Sequence, residues 1–200
     1  MAVTESQLLL RSTGADWSYE RWETLPDDGN LYEVIDGVLY MSTSPSFFHG
    51  WIVMRLIELV GLPAKQRGLV HVCTAPLGVL MPGCDPVQPA FFLIRQERDN
   101  VIRETKVREA PDLIAEILSP SNPEHDTMTK RRAYARAGVP EYWIVRPATR
   151  DVEVCWQPDA ALGDYAQSRL VGSDDELVAV TLPISVLVRE LFAGAPDTTL

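Results

Sequence analysis

The sequence predicts an α/β (α+β) fold, a mixed sheet covered by helices, and three observations carry that prediction. Strand-like and helix-like segments are interleaved along the chain. DLIAEIL at 112–118 and EYWIV at 141–145 are short apolar runs, the pattern of buried strands. Residues 46–65 repeat apolar side chains at helical spacing, through Ile52, Leu56, Leu59 and Val60.

Taken in order, SYERWET at 18–24 predicts a short helix ended by Pro26, with Ser18 placed to cap it. DDGN at 27–30 reads as a loop. YEVIDGVLYM alternates about Asp36-Gly37, a two-strand hairpin signal. The helix over 46–65 starts near Ser46. Gly and Pro separate three strands at 69–73, 76–81 and 88–95. The strand at 112–118 stops at Ser119-Pro120, and a helix follows over 124–137, closed by Gly138 with Pro140 just beyond. EYWIV pairs with DVEVCW (151–156) across the turn PATR. Strands around 165–171 and 176–181 and a last helix near 184–192 complete the chain.

The chain has 200 residues, 46% of them apolar and 23% charged, as expected of a soluble globular domain. Its three cysteines, Cys73, Cys84 and Cys155, form no CxxC pair, which argues against a disulfide scaffold and a zinc finger and leaves them as packing residues. Histidines at 49, 71 and 125 make no HExxH motif. No apolar run reaches ~18 residues, so no membrane partner is expected. The N-terminal stretch lacks a basic region followed by a full apolar one, and a cytoplasmic protein is expected.

The net charge of −10 opposes a general nucleic-acid binder, but its distribution is uneven. Residues 130–150 hold six basic side chains and one acidic. That segment offers a local surface for an anionic partner, or a solvated face that balances acidic neighbours.

Glu116 is the most informative residue. It lies among apolar neighbours, and an unpaired carboxylate buried there would cost several kcal/mol. It therefore needs a cation, water or a hydrogen-bond donor. Strand alternation puts Asp112, Ile114, Glu116 and Leu118 on one face. Asp126, Lys130 and Tyr134 fall four residues apart on the next helix and share a face. Lys130 either pairs with Asp126 at the surface or reaches back over the Glu116 strand.

The runs YEVIDGVLYMSTSPSFFHG, QPAFFLIRQER and APDLIAEILSPSNPEHDTMTKRRAYARAGVPEYWIVRPATRDVEV resemble the Uma family of restriction endonucleases, within the PD-(D/E)XK nuclease superfamily. The resemblance spans about 17–193 and implies one restriction-endonuclease-like domain there, with an extension at 1–16 and a tail at 194–200. It implies a mixed β-sheet flanked by helices and Mg²⁺- or Mn²⁺-dependent hydrolysis of DNA phosphodiesters by an endonuclease. Hard oxygen ligands suit such an ion, which activates water and steadies phosphoryl charge. Carried over by motif, Glu116 is a metal-binding acid and Lys130 the lysine that orients water. Glu33 matches a recurring acidic position and is a candidate metal ligand, and His49 matches a recurring histidine. Arg131, Arg132 and Arg136 are the candidates for DNA phosphates, and a homodimer is expected by resemblance.

One departure bears on activity. The first metal-binding aspartate of the family belongs in a QPD segment that here reads Gln88-Pro89-Ala90. Alanine offers no ligand, and such sites use only one or two carboxylates. Asp85 lies at an odd offset and faces away on a regular strand, unless Gly83 and Pro86 break the regularity. Glu33 is the other acid able to rebuild a site. Three readings follow: a metal-dependent endonuclease, an inactive relative that binds DNA or a protein, and an interaction protein that binds no nucleic acid. Trp51, Tyr142 and Trp143 are expected in the core. His71 is expected as a satisfied structural histidine, and His49 in a capping or hydrogen-bonding role. Ser119 and Ser121 have no base beside them.

Overall fold

The computed structural model describes residues 8–119 and 122–195, so Ser121, most of the N-terminal extension's first half and the end of the tail lie outside the described residues. Two six-stranded mixed sheets form the body of the protein. Leu113–Ile117 is one of the two middle strands of the first sheet. It pairs in parallel with Glu141–Arg146 and antiparallel with Phe91–Arg95. Val70–Thr74 flanks it on one side, and Asp151–Asp159 and Asp164–Val171 extend it on the other. The Asp36-Gly37 hairpin forms as expected, Leu31–Ile35 against Val38–Ser42, with both turn residues at positive φ. That hairpin belongs to the second sheet. Leu9–Arg11 adds an edge strand to it, and Cys84–Val87, Gly78–Met81 and Lys106–Arg108 complete it. The sequence reading missed Cys84–Val87, which is too short and too interrupted by Pro86 to show a period.

The strand Leu113–Ile117 is buried on both faces because its sheet is covered on both. One face carries Leu113, Ala115, Phe91 and Leu93 and packs on the helical run that holds Ile52, Leu56, Val60 and Ala64. The other face carries Ile114, Phe92 and Ile94 and packs on the second sheet and on Ala133, Tyr134 and Ala135. Alternation with Ile114 points Glu116 towards this second layer. Tyr142 and Trp143 are fully buried, as expected, while Trp51 is half-buried, its indole N–H donating to the Ala193 carbonyl.

The helix over Phe47–Gln66 begins where expected, with the Ser46 hydroxyl accepting from the His49 N–H. By length and composition it is long and apolar enough to cross a membrane, although Arg55, Glu58 and Lys65 keep its uninterrupted apolar runs short. Its Ile52–Ala64 face is buried in the core. Its middle turn, Ile57–Gly61, is a π-helix. Ser18 does not cap the first helix, Tyr19–Trp22; its hydroxyl donates to Glu20 instead. The last helix is shorter than expected, Val188–Phe192, because Ser185–Leu187 is a strand paired with Glu176–Val178.

Candidate functional site

Glu116 leaves its strand into a polar cluster that gives each of its oxygens a protein donor. Its Oε1 accepts from Lys130 Nζ at 3.0 Å and from the Tyr134 hydroxyl at 2.9 Å, and its Oε2 accepts from the Ala90 N–H at 3.2 Å. Glu33, from the second sheet, meets the same ammonium: its Oε2 is 2.9 Å from Lys130 Nζ. Glu33 Oε1 accepts from the Gln88 N–H at 2.7 Å. Glu116, Glu33, Lys130 and Asp126 are only 4%, 6%, 6% and 8% exposed. Two carboxylates from different sheets thus converge on one lysine from the following helix.

The local structure explains the convergence. His125–Lys130 is a π-helical turn that runs into the α-helix Arg131–Arg136. Asp126, Lys130 and Tyr134 are all buried, so the shared face read from their spacing exists. It faces inward, and Lys130 reaches the Glu116 strand. The QPA segment supplies two backbone donors, the N–H groups of Gln88 and Ala90, to the two carboxylates. Sequence reasoning overlooked this role because it lives in the main chain.

Charge at the site is set by burial and by Lys130. Burial raises the Glu33 carboxyl, but the Lys130 ammonium overrides it and holds the group at about 2. Asp126 goes the other way: burial drives its carboxyl up to about 8 against the pull of Lys130, and the Glu116 and Glu33 charges add to the rise. Burial, then the Lys130 charge, depresses the His49 imidazole to about 4. Burial lowers the Lys130 ammonium, but Glu116, Glu33 and Asp126 outweigh it and keep the lysine charged. At neutral pH Glu33 is ionised and Lys130 charged, beside a protonated Asp126 and a neutral His49.

The cluster is the floor of a cavity of about 370 Å³. His49, His125, Gln88 and Ala90 line it too, and its walls are largely aliphatic. His125 was missed in the sequence. Its ring lies tilted by 41° against Tyr40 with the ring centres 4.6 Å apart, its Nε2 lies 3.6 Å from Glu33 Oε2, and neither ring nitrogen has a hydrogen-bond partner. The Nδ1 of His49 is also buried without a partner, although the expected hydrogen-bonding role falls to its main chain. His71 has a buried Nε2 without a partner as well, so it is not the satisfied histidine expected from the alternation.

The remaining sequence candidates stand apart from this cluster. Arg131 pairs with Glu153 at 2.9 Å and with Asp164 at 2.7 Å, and Arg136 pairs with Asp36. Arg132 is exposed. Asp85 is exposed and lines a separate surface cleft with Arg103 and Arg108, not the cavity around Glu116. Cys84 and Cys155 are buried and Cys73 half-buried, as packing residues should be.

The mixed sheet flanked by helices is a nuclease-like fold. It matches the crystal structure of a putative nuclease of the DUF820 family from Anabaena variabilis, with a TM-score of 0.73 at 16% identity, over 88% of this chain and 97% of that one. The family model Uma2, described as putative restriction endonuclease, matches residues 18–188, and the chain belongs to that family. No curated protein matches the chain.

The family implies a divalent cation, and the residues present do not supply a fitting ligand set. Among the described residues no group of three or more His, Cys, Asp or Glu side chains is arranged to hold a metal. Position 90 offers a methyl group. Both oxygens of Glu116 and both of Glu33 already face protein donors, and Lys130 occupies the point where the two carboxylates converge.

Proposed function

We propose that this member of the nuclease family binds DNA and, with alanine at position 90, does not cleave it. The observation that carries this reading is the closed circuit of Glu33, Lys130 and Glu116 beside Ala90, in which both acids are already paired with the lysine and the acid that the family places at position 90 is missing. Membership in the family supports DNA as the partner, and the exposed Arg132 is a residue free to meet its phosphates. Arg131 and Arg136 would have to exchange internal ion pairs for phosphate contacts.

The test compares the native chain with its Ala90→Asp and Glu116→Ala variants in plasmid nicking with Mg²⁺ or Mn²⁺, alongside DNA binding at several salt concentrations. The expected result is binding that weakens with salt, no nicking by the native chain, and nicking by Ala90→Asp. Nicking by the native chain that Glu116→Ala abolishes would replace this reading with a metal-dependent endonuclease. No binding even at low salt would leave an interaction protein without nucleic acid.

A further inference from the structure

We propose that the cavity above Glu33 and Glu116 takes one unstacked nucleobase, so that this chain prefers single-stranded DNA, or a base extruded from a duplex, over paired DNA. The inference rests on the DNA-binding reading and names what enters the site.

Three features favour a base over a phosphate. The first is charge. A floor of two acidic side chains that share one ammonium has no free cation to offer a phosphodiester. It attracts the N–H donors on a base edge, as a carboxylate accepts from the amino group of cytosine. The second is the walls. Leu9, Leu31, Pro45, Val53, Met54 and Ile57 line the cavity, an apolar surface suited to the faces of a base and not to a charged backbone. The third is unmet hydrogen bonding. Both ring nitrogens of His125, His49 Nδ1 and Gln88 Oε1 are buried without partners at the cavity. Each unsatisfied buried group costs about 1–3 kcal/mol. The His125 side chain is 9% exposed and forms part of the lining, so a ligand in the cavity can meet it. The unpartnered ring nitrogens of His49 and His125, with an amide oxygen and carboxylates, provide partners for the mixed edge of a base.

Size and depth exclude the duplex. A cavity of about 370 Å³ is at the small-ligand end of binding sites and holds a base, not a helix. The acids are less than a tenth exposed, so a group must leave its stack to reach them. Unpairing costs a few kcal/mol in a duplex and far less in a single strand, which sets the preference.

The experiment uses an oligonucleotide carrying one 2-aminopurine, as a single strand and annealed to its complement. Gly50 provides a blocking variant. It lines the cavity and is exposed, and a Cβ added there meets nothing within 4 Å, so Gly50→Trp places a bulky ring at the cavity without a backbone clash. Leu162→Trp, at an exposed position away from the cavity, is the control, and thermal melting checks that both fold. The expected result is at least tenfold tighter binding of the single strand, a change in 2-aminopurine emission on binding, and loss of both in Gly50→Trp but not in Leu162→Trp. Equal affinity for the duplex, or an emission change that survives Gly50→Trp, overturns the inference while leaving DNA binding intact. No binding of either form overturns it together with the DNA-binding reading.

Discussion

Lys130 and Glu116 meet at 3.0 Å inside the protein, although one stands on a helical turn and the other on a middle strand of the first sheet. The same ammonium holds Glu33 of the second sheet at 2.9 Å, so one side chain ties three elements together. Replacing it with Met leaves two carboxylates buried without their cation. Breaking a buried pair in this way costs about 3–5 kcal/mol. Urea denaturation of Lys130→Met should show a loss of that size. The double change Glu33→Gln with Glu116→Gln, added to Lys130→Met, should return part of it by removing the stranded charges. A loss below about 1 kcal/mol would mean that the carboxylates take up protons or water without strain.

The circuit was half legible in the sequence. Glu116 drew attention because a carboxylate amid apolar residues needs a partner, and the spacing of Lys130 offered one. The same argument applies to Glu141 in EYWIV, which is fully buried yet holds a loop rather than a functional cluster. Burial of an acid in an apolar run therefore shows that it is paired, not what it is for. Glu33 could be placed only by the resemblance, since its partner lies 97 residues away and no local period links distant residues. The main-chain donors of Gln88 and Ala90 left no side-chain signal at all. The hairpin at Asp36-Gly37 and the Ser46 start were legible because turn and cap chemistry are local.

Glu141 gives a second prediction. It accepts from Trp143 Nε1 at 2.7 Å, from the N–H groups of Val180 and Thr181 at 2.9 and 2.8 Å, and from the Thr181 hydroxyl at 2.7 Å. Gln at this position would turn an amino group towards donors. Hydrogen bonds to a charged group contribute about 1.5–3 kcal/mol each, so Glu141→Gln should lower stability by about 3 kcal/mol or more. Hydrogen exchange should show the loss of protection concentrated at Val180 and Thr181. Unchanged protection there would refute the anchoring role.

Stability should also respond to pH through three buried groups. The unfolded chain loses the Asp126 proton near 3.8, whereas the folded chain keeps it to about 8. His49 shows the reverse: unfolded it takes a proton below 6.5, folded only below about 4. Between about pH 4 and 6.5 the two effects oppose each other, and the slope they give is near zero. From 6.5 to 8 Asp126 acts alone, the folded chain binds more protons, and stability falls by up to about 1.4 kcal/mol per pH unit. Glu33, at about 2 folded and 4.5 unfolded, contributes stability that is lost as pH falls between those values. Urea midpoints at pH 5, 6.5 and 8 check the pattern, and Asp126→Asn should flatten the upper part. A midpoint that rises from 6.5 to 8 would contradict it.

The helix that borders the cavity makes the last prediction, through two glycines with opposite surroundings. Gly61 lies where the helix crosses the sheet most closely: a Cβ there would sit 2.8 Å from Val72 Cγ1 and 3.3 Å from Phe91 Cε2. Both neighbours are branched or aromatic core groups with little freedom to retreat, so Gly61→Ala should cost about 1–3 kcal/mol as overpacking. Gly50 has an ordinary helical backbone and open space around it, so Gly50→Ala should raise stability by about 0.5–1 kcal/mol by narrowing the unfolded ensemble. Contact between the groups predicts non-additivity: Val72→Ala should cost less in the Gly61→Ala background than alone. Thermal melts of the four variants test the set. Equal effects of alanine at positions 50 and 61 would mean that helix propensity, and not the close approach of helix to sheet, decides both.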